Sequence, residues 1–522
     1  MPVALDSTSL ALGTVACYLL YFVYVRWTKR QGLPPGPPRL PFLGNIHQLP
    51  QLDQHTFLKR WADQYGDVVY AEFFTQPAIV VSSVKAACEL MEKRGAYYSG
   101  RPRFVRIREM IGWTGHSAWR PYDDTWKRQR RWFQQSLISA SAVKRNHPLQ
   151  EREVRRLLYA LVQHPAEFIS HIKRYSASLI LEIGYGHTVT SVEGDEFIQL
   201  VEAGIQEVFG GSGAGSAPVD FFPVLKYIPA WLPGAGFKRA ALMAKEAIAA
   251  TENIPYDSVK DDIAAGVAKP SFTTAMMQDC LKKGALTSED EIVIKGTAGT
   301  LYAGIKYTTL TSIMVFILAM VQHPDIFQKA QEEVIRVVGE TRLPEFSDRE
   351  SLPYLENIIT EVYRWHPAVP IGVPHLASDD DVYRGYYIPK NSMIISNIWA
   401  MFHDPEVYPE PERFKPERWS NTNTDRGDDP NLGDPRKIVF GFGRRICPGR
   451  YFADNSVWIV AACIISMMSI RKARDARGEE ITPSPKFHSG IVIHPEPFVC
   501  DIRPRSEQSR QLILESLGAG TV

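Results

Sequence analysis

From Asp290 to Gln322 the chain contains no proline. A helix through all of it would be ~50 Å long at about 1.5 Å per residue. Its C-terminal half, Ile313–Val321, is apolar on every side. Such a segment has no face to give to water, so it has to cross the interior of a large domain. His323-Pro324 ends it, because proline cannot continue a helix. The fold that can cover such an element is mainly α. Small β-sheets accompany it, since Asp67–Phe74, Pro77–Ser82, Val382–Ile388 and Met393–Asn397 read as strands, with their β-branched residues and alternating or continuous apolar pattern.

Near the C-terminal end lies Phe440-Gly441-Phe442-Gly443-Arg444-Arg445-Ile446-Cys447-Pro448-Gly449, followed by an apolar run from Tyr451 to Ile470. Glycines let a backbone turn tightly and approach a flat, bulky group. Pro448 suits the first position of a helix, which would put the Cys447 sulfur just before a helix N-terminus. Backbone N–H groups and the helix dipole there favour thiolate over thiol. A buried structural cysteine is the plain alternative.

Further pairs of residues stand at helical spacing. Trp126 and Arg130 are four apart on a helix expected from Tyr122–Asp124, and so share a face. A solvated basic helix is the alternative. Glu361 and Arg364 are neighbours at three apart, in an apolar setting of Ile358, Ile359, Val362 and Trp365. A buried pair of this kind needs further partners.

Composition narrows the setting. Hydrophobic residues make up 45% and charged residues 22%, as in an ordinary globular protein. A net charge of +1 argues against a general nucleic-acid binder. The six cysteines are scattered with no C-x-x-C pair, which argues against a zinc site or a disulfide framework. Ser7 to Val25 carries no charge, close to the roughly 20 residues that span a bilayer. Asp6 precedes it and Arg26, Lys29 and Arg30 follow, which places the following chain in the cytosol. That charge order is the reverse of a cleaved signal peptide. Five prolines between 34 and 41 then form a stiff, extended spacer. The expected organisation is an anchor over 1–30, a hinge over 31–45 and one domain over 46–522. Between 209 and 236 the chain is rich in glycine and proline yet apolar, as a loop would be that enters a bilayer interface or roofs a pocket.

The cysteine stretch matches every fixed position of F-x-x-G-x-R-x-C-x-G. With W-x-x-x-R at 126–130, E-x-x-R at 361–364 and F-x-P-E-R at 414–418, the chain resembles the haem-thiolate monooxygenases of the cytochrome P-450 family. The likeness runs from the anchor to Ile491–Ile493. It is nearest in character to membrane-bound fungal members that oxidise secondary metabolites, a likeness carried by segments such as Asp381–Tyr386 and Asp434–Lys437.

The resemblance implies haem b with Cys447 as its axial thiolate, a ligand that favours O–O cleavage. Trp126, Arg130, His375 and Arg445 would meet its propionates, with Phe440 and Gly449 against the ring; for His375 a surface position is the alternative. Glu361, Arg364 and Arg418 would form a structural triad, and Pro411–Phe414 would be a decoy of the F-x-P-E-R motif. Ala303, Gly304, Ala368, Val369 and Ile371 would line the substrate pocket. In the long helix the family places an acid and a relay threonine. One register puts Thr308 on the threonine and Tyr307 on the acid. Another puts Tyr307 on the threonine and Lys306 on the acid. Both lack the acid.

The implied function is insertion of one oxygen atom from O2 into a C–H bond of a small hydrophobic substrate such as a terpenoid. NADPH and flavins act through a reductase partner, membrane lipid holds the anchor, and no nucleic acid is bound. The expected place is the endoplasmic reticulum membrane, single-pass, with the catalytic domain cytosolic. A haem-thiolate isomerase or dehydratase not using O2, encouraged by the missing acid, and a non-enzymatic haem sensor are the alternatives.

Overall fold

A computed structural model describes residues 32–189, 217–282, 284–420 and 434–518, apart from the side chains of 305, 306 and 518. The expected anchor over 1–30 lies outside the described residues. Seven helices position the site: α1 Asp124–Phe133, α2 Ala140–Gln163, α3 Phe168–Tyr185, α4 Gly236–Ala265, α5 Ser288–Gln322, α6 Pro353–Trp365 and α7 Arg450–Met467.

The long helix α5 begins two residues earlier than the sequence suggests, because a capping box starts it. The Thr287 hydroxyl accepts from the Asp290 N–H at 3.1 Å, and the Asp290 carboxylate accepts from the Thr287 N–H at 3.3 Å. These bonds satisfy donors that the first turn leaves bare. Every residue from Ile313 to Val321 is buried, and α5 packs against α3, α4, α6 and α7. Withdrawing each Ile, Leu or Phe from water contributes about 1.5–3 kcal/mol. Among the described residues α5 is the one helix long and apolar enough to cross a membrane, and its burial makes it the core helix instead.

Strands β1 Val68–Phe73 and β2 Gln76–Val81 pair antiparallel, with Val68 opposite Val81. β3 His375–Leu376 and β6 Met393–Ser396 complete a four-stranded sheet in the order β1-β2-β6-β3. Between them the run Val382–Ile388 is broken into a separate hairpin of β4 Asp381–Tyr383 and β5 Tyr386–Ile388. Its turn, Arg384-Gly385, has positive φ at both residues, 51° and 81°, which matches the twist of a tight hairpin.

The proline stretch is extended, as expected, but its described part is docked on the domain. The Tyr70 N–H donates to the Pro35 carbonyl at 2.9 Å. Gly36 lies so close that a Cβ there would stand 2.0 Å from the Tyr70 carbonyl oxygen. The edge of β1 gains a partner by this contact.

Glu361 on α6 is fully buried and is matched donor by donor. Arg364 donates to both its oxygens, at 2.9 and 2.8 Å. Arg418, the Lys415 N–H and the Trp419 indole N–H follow at 3.1, 2.9 and 3.0 Å. Arg364 also reaches the carbonyls of Phe402, Pro411 and Arg413. The decoy segment thus contributes carbonyls, while the Arg413 side chain pairs with Glu410 in solvent.

Behind Arg364 sits a cluster of rings. His403 stacks on Trp399 with centroids 3.7 Å apart, and His55 packs on the same indole at 4.9 Å. Burial pushes His55 down to about 4 and His403 down to about 3. Both are therefore neutral when folded, yet bind a proton near 6.5 when unfolded. The unfolded chain holds more protons between those values, so stability falls as pH drops from about 6.5 towards 4, by about 1.4 kcal/mol per histidine per pH unit. The thermal midpoint should fall between pH 7 and pH 5, and His403→Phe, which keeps the stack, should make that fall shallower. Identical pH profiles for the two proteins would contradict this account.

Candidate functional site

The cysteine loop is held by its backbone. The Cys447 N–H donates to the Phe440 carbonyl at 2.9 Å, closing the loop on itself. Gly443, at φ 58°, lies against the Met91 carbonyl oxygen, where a Cβ would stand 1.9 Å away. Only glycine fits there. Helix α7 starts at Arg450 with Gly449 as its N-cap. Pro448 is therefore not the first helical residue, as the sequence suggested, but part of the turn before the cap. Burial pushes the Cys447 thiol up, against a hydrogen bond from the Gly449 backbone and the charges of Arg130 and Arg450. The expected electropositive surroundings are present, yet enclosure outweighs them in the protein by itself.

Cys447 opens onto a cavity with about 1700 Å³ of atom-free space, its solvent-open part included. The middle of α5 forms another part of the wall, through Leu301, Ala303, Gly304, Thr308, Thr309 and Ser312. Thr308 Oγ1 donates to the Gly304 carbonyl at 2.6 Å. Tyr307 is not on this wall. Successive residues turn by about 100° on a helix, so the face shared by Gly304 and Thr308 leaves Tyr307 aside, half-buried against the core. The side chains of Ile305 and Lys306 lie outside the described residues.

Four cationic or basic side chains surround another part of the cavity. Arg445 donates to the carbonyls of Ser99, Ser117 and Arg120 at 3.0, 3.3 and 3.0 Å. It also lies over the Trp126 ring at 4.4 Å. Arg130 donates to the Ile446 carbonyl at 2.8 Å. Arg101 donates to the carbonyls of Ala118, Val373 and Pro374. His375 Nδ1 meets the Tyr98 carbonyl at 2.7 Å.

Burial, then the neighbouring Arg130, pushes Arg445 down to about 9. Burial, then Arg445, holds Arg101 well below its ordinary value. His375 is lowered likewise by burial and Arg101. Among the described lining residues there is no carboxylate. Buried charges of one sign without a counter-charge are costly, so the wall fits a group that brings its own anions. A flat macrocycle with two carboxylates, as in the implied haem, meets that demand.

Of the residues read from sequence, Trp126, Arg130, His375, Arg445, Phe440, Gly449, Cys447, Thr308, Ala303, Gly304, Ala368 and Val369 line the one cavity. His375 is buried, so the surface alternative falls. Ile371 does not line it. Its backbone bridges to Asn397, and its side chain packs on the sheet-side core of Leu58 and Trp61. Arg101, His116, Trp119 and Thr309 also line the cavity and were not legible beforehand. Arg101, His116 and Trp119 stand in irregular chain with no periodic signal. Thr309 was passed over because neither register selected it.

Comparison with known proteins agrees with this geometry. A family model described as Cytochrome P450 matches residues 34–501. "Cytochrome P450 monooxygenase 176" of Postia placenta is 46% identical over 520 residues, covering 99% of each chain. "Cytochrome P450 monooxygenase claR" of Ampulloclitocybe clavipes is 37% identical over 512 residues, covering 98% of this chain and 93% of that one. "Tryptamine 4-monooxygenase" of Psilocybe cyanescens is 35% identical over 503 residues, covering 96% and 98%. The chain belongs to the cytochrome P450 family.

A charge-assisted hydrogen bond contributes about 1.5–3 kcal/mol. Arg445→Ala should therefore weaken haem affinity roughly tenfold or more, read as haem loss to apomyoglobin. Retention equal to the unaltered protein would remove Arg445 from the binding wall.

Proposed function

We propose, from the premise that the chain is a cytochrome P450 and hence a haem-thiolate monooxygenase, that it oxidises a small hydrophobic fungal secondary metabolite of terpenoid type. Electrons come from NADPH through a flavoprotein redox partner. The observation that carries the reading is one apolar-walled cavity bordered by the lone loop cysteine, a cluster of buried cations and the threonine face of the core helix. When bound, haem supplies activation of dioxygen, one atom of which enters a C–H bond while the other leaves as water.

The chain's own residues divide the remaining work. Cys447 would hold the haem iron through its sulfur, and Arg101, Arg130, Arg445, Trp126 and His375 would hold the haem carboxylates. Glu361, Arg364 and Arg418 brace α6 and the segment after it. Thr308 spends its hydroxyl hydrogen on Gly304, which leaves its oxygen able to accept from a water in the cavity. That is the position of a proton relay. Tyr307 has no part in it.

The same reading extends to location. We place the chain in the endoplasmic reticulum membrane through residues 1–30, with the hinge over 31–45 and the catalytic domain over 46–522 facing the cytosol. Exposed apolar side chains support contact with lipid. Phe42 and Leu52 are more than half exposed, and Val224, Tyr227 and Trp231 are about three-quarters exposed. Phe74 joins the sheet to the second group through Phe221 and Phe222, at 5.3 and 4.9 Å. For the reductase, Lys127, Arg128, Arg131, Arg444 and Arg450 flank the haem-side motifs and would form a basic docking face for an acidic flavoprotein. Within it, Arg128 is partly neutralised by Asp290 at 2.7 Å and Lys127 by Asp124 at 2.9 Å.

Cys447→Ala should abolish the red-shifted Soret band of the reduced carbon monoxide complex, and a surviving band would refute the ligand assignment. Thr308→Ala should raise the share of NADPH electrons lost as peroxide while haem content holds, and Tyr307→Phe should leave that share unchanged. The opposite pattern, a coupled Thr308→Ala beside an uncoupled Tyr307→Phe, would move the relay to Tyr307.

A further inference from the structure

A short hairpin near the C-terminal end of the chain supplies part of the cavity wall. Its strands, Phe487–His488 and His494–Pro495, pair antiparallel, with His494 opposite His488 and Pro495 opposite Phe487. The loop between them contributes Ile491 and Val492 to the cavity. The inner side of the hairpin is fixed to the domain. Phe487 stacks on His366 with centroids 3.9 Å apart, and the Ile493 N–H donates to the Ala368 carbonyl at 2.9 Å. Side chains alternate along a strand. With Phe487 and Pro495 turned inward, the two histidines stand on the outer face, and both are exposed.

The two rings have the separation of a pair that shares a metal ion. Their centroids are 5.0 Å apart, with planes at 45°. An imidazole nitrogen binds zinc at about 2.0–2.1 Å, which puts the ion ~3.2 Å from the ring centre. Two rings sharing one ion at the tetrahedral angle then have centres ~5.2 Å apart. At the right angle of a square-planar ion the figure is ~4.5 Å. The observed spacing lies nearer the first. Neither ring is held by a hydrogen bond among the described residues. An exposed imidazole turns about its last torsion at little cost, so a nitrogen of each can be aimed at one point. Partial burial, then His488, then Lys173 on α3 lowers the protonation of His494, which favours the neutral form that binds metal. The Lys173 charge also works against a cation, and no third histidine, cysteine or carboxylate joins the pair among the described residues. Water would fill the other positions, and the affinity is modest.

We propose that His488 and His494 form a zinc site across the outer face of this hairpin. Imidazole suits zinc, copper and nickel alike, and the tetrahedral spacing favours zinc. It is an open site with two protein ligands, unlike the closed cysteine-rich kind that the scattered cysteines argue against. The pair is the last rung before the loop. A bound ion therefore staples the base of the loop and holds Ile491 and Val492 in their place on the cavity wall. No step of the oxidation passes through the ion. Its effect is to stiffen one stretch of that wall from outside.

The test titrates Zn2+ into the untagged, haem-loaded full chain in detergent, freed of adventitious metal, in competition with a zinc-binding dye. One ion should bind per chain at the tightest site. His488→Gln and His494→Gln should each weaken it roughly hundredfold, the gain from joining two ligands on one frame. Hydrogen exchange then locates the ion: Zn2+ should slow the amides of 488–494 several-fold in the unaltered chain and in neither variant. Both positions are exposed, and the carbon monoxide band of each variant checks that fold and haem are intact. Absence of zinc binding, or unchanged affinity in either variant, would overturn the site. Binding that depends on both histidines yet leaves the hairpin amides exchanging as before would overturn the staple.

Discussion

A helix that is apolar on all sides cannot stand at a surface, and most of this structure follows from hiding one. Ile313–Val321 of α5 is buried throughout, and α3, α4, α6 and α7 are arranged around the same helix. The cost of ordering so much chain is offset by withdrawing a continuous apolar rod from water. Once that rod is in place, its middle third has a different task. There the large aliphatic residues give way to Ala303, Gly304, Thr308 and Thr309, and the helix surface becomes a cavity wall. The same element is core at one end and active-site wall in the middle.

Two buried electrostatic assemblies flank that rod and obey opposite rules. Around Glu361 the charges are balanced within the protein, each carboxylate oxygen meeting donors from Arg364, Arg418, Trp419 and the Lys415 backbone. This is how a buried ion pair becomes tolerable. Around the cavity, Arg101, Arg130, Arg445 and His375 are anchored on backbone carbonyls, and burial first, then like-charged neighbours, lowers their protonation. Their balance is left to the bound group. The first assembly is a brace that the chain completes alone, while the second is a socket that binding completes.

Much of this was legible in the residues. The cysteine loop, the E-x-x-R pair, the W-x-x-x-R face and the extent of α5 all rest on spacings of a few residues, where helix and turn geometry leave little freedom. Pro448 was misplaced by a local rule, since proline favours a first helical position but Gly449 took the cap. Val382–Ile388 was read as continuous strand because its β-branched and aromatic residues outweigh one Arg-Gly turn. The proline stretch was read as a stiff, extended spacer, and its docking on β1 depends on an edge that only the folded sheet presents.

The sequence by itself determined the mainly α fold class, the cysteine loop and the Glu361–Arg364 pair through short-range spacing, and its likeness to a known family added Arg418 to the brace and a role to the cysteine. Tertiary structure decided which side of α5 meets the cavity, and so separated Thr308 and Thr309 from Tyr307. It decided that Ile371 faces the sheet, and that Arg101 joins Arg130 and Arg445 from a segment far away in the chain. It also placed His116 between two indoles, its Nε2 buried with no partner among the described residues. None of these follows from spacing, because each depends on which distant backbone closes the fourth side. The donors of a binding cavity are assembled by packing.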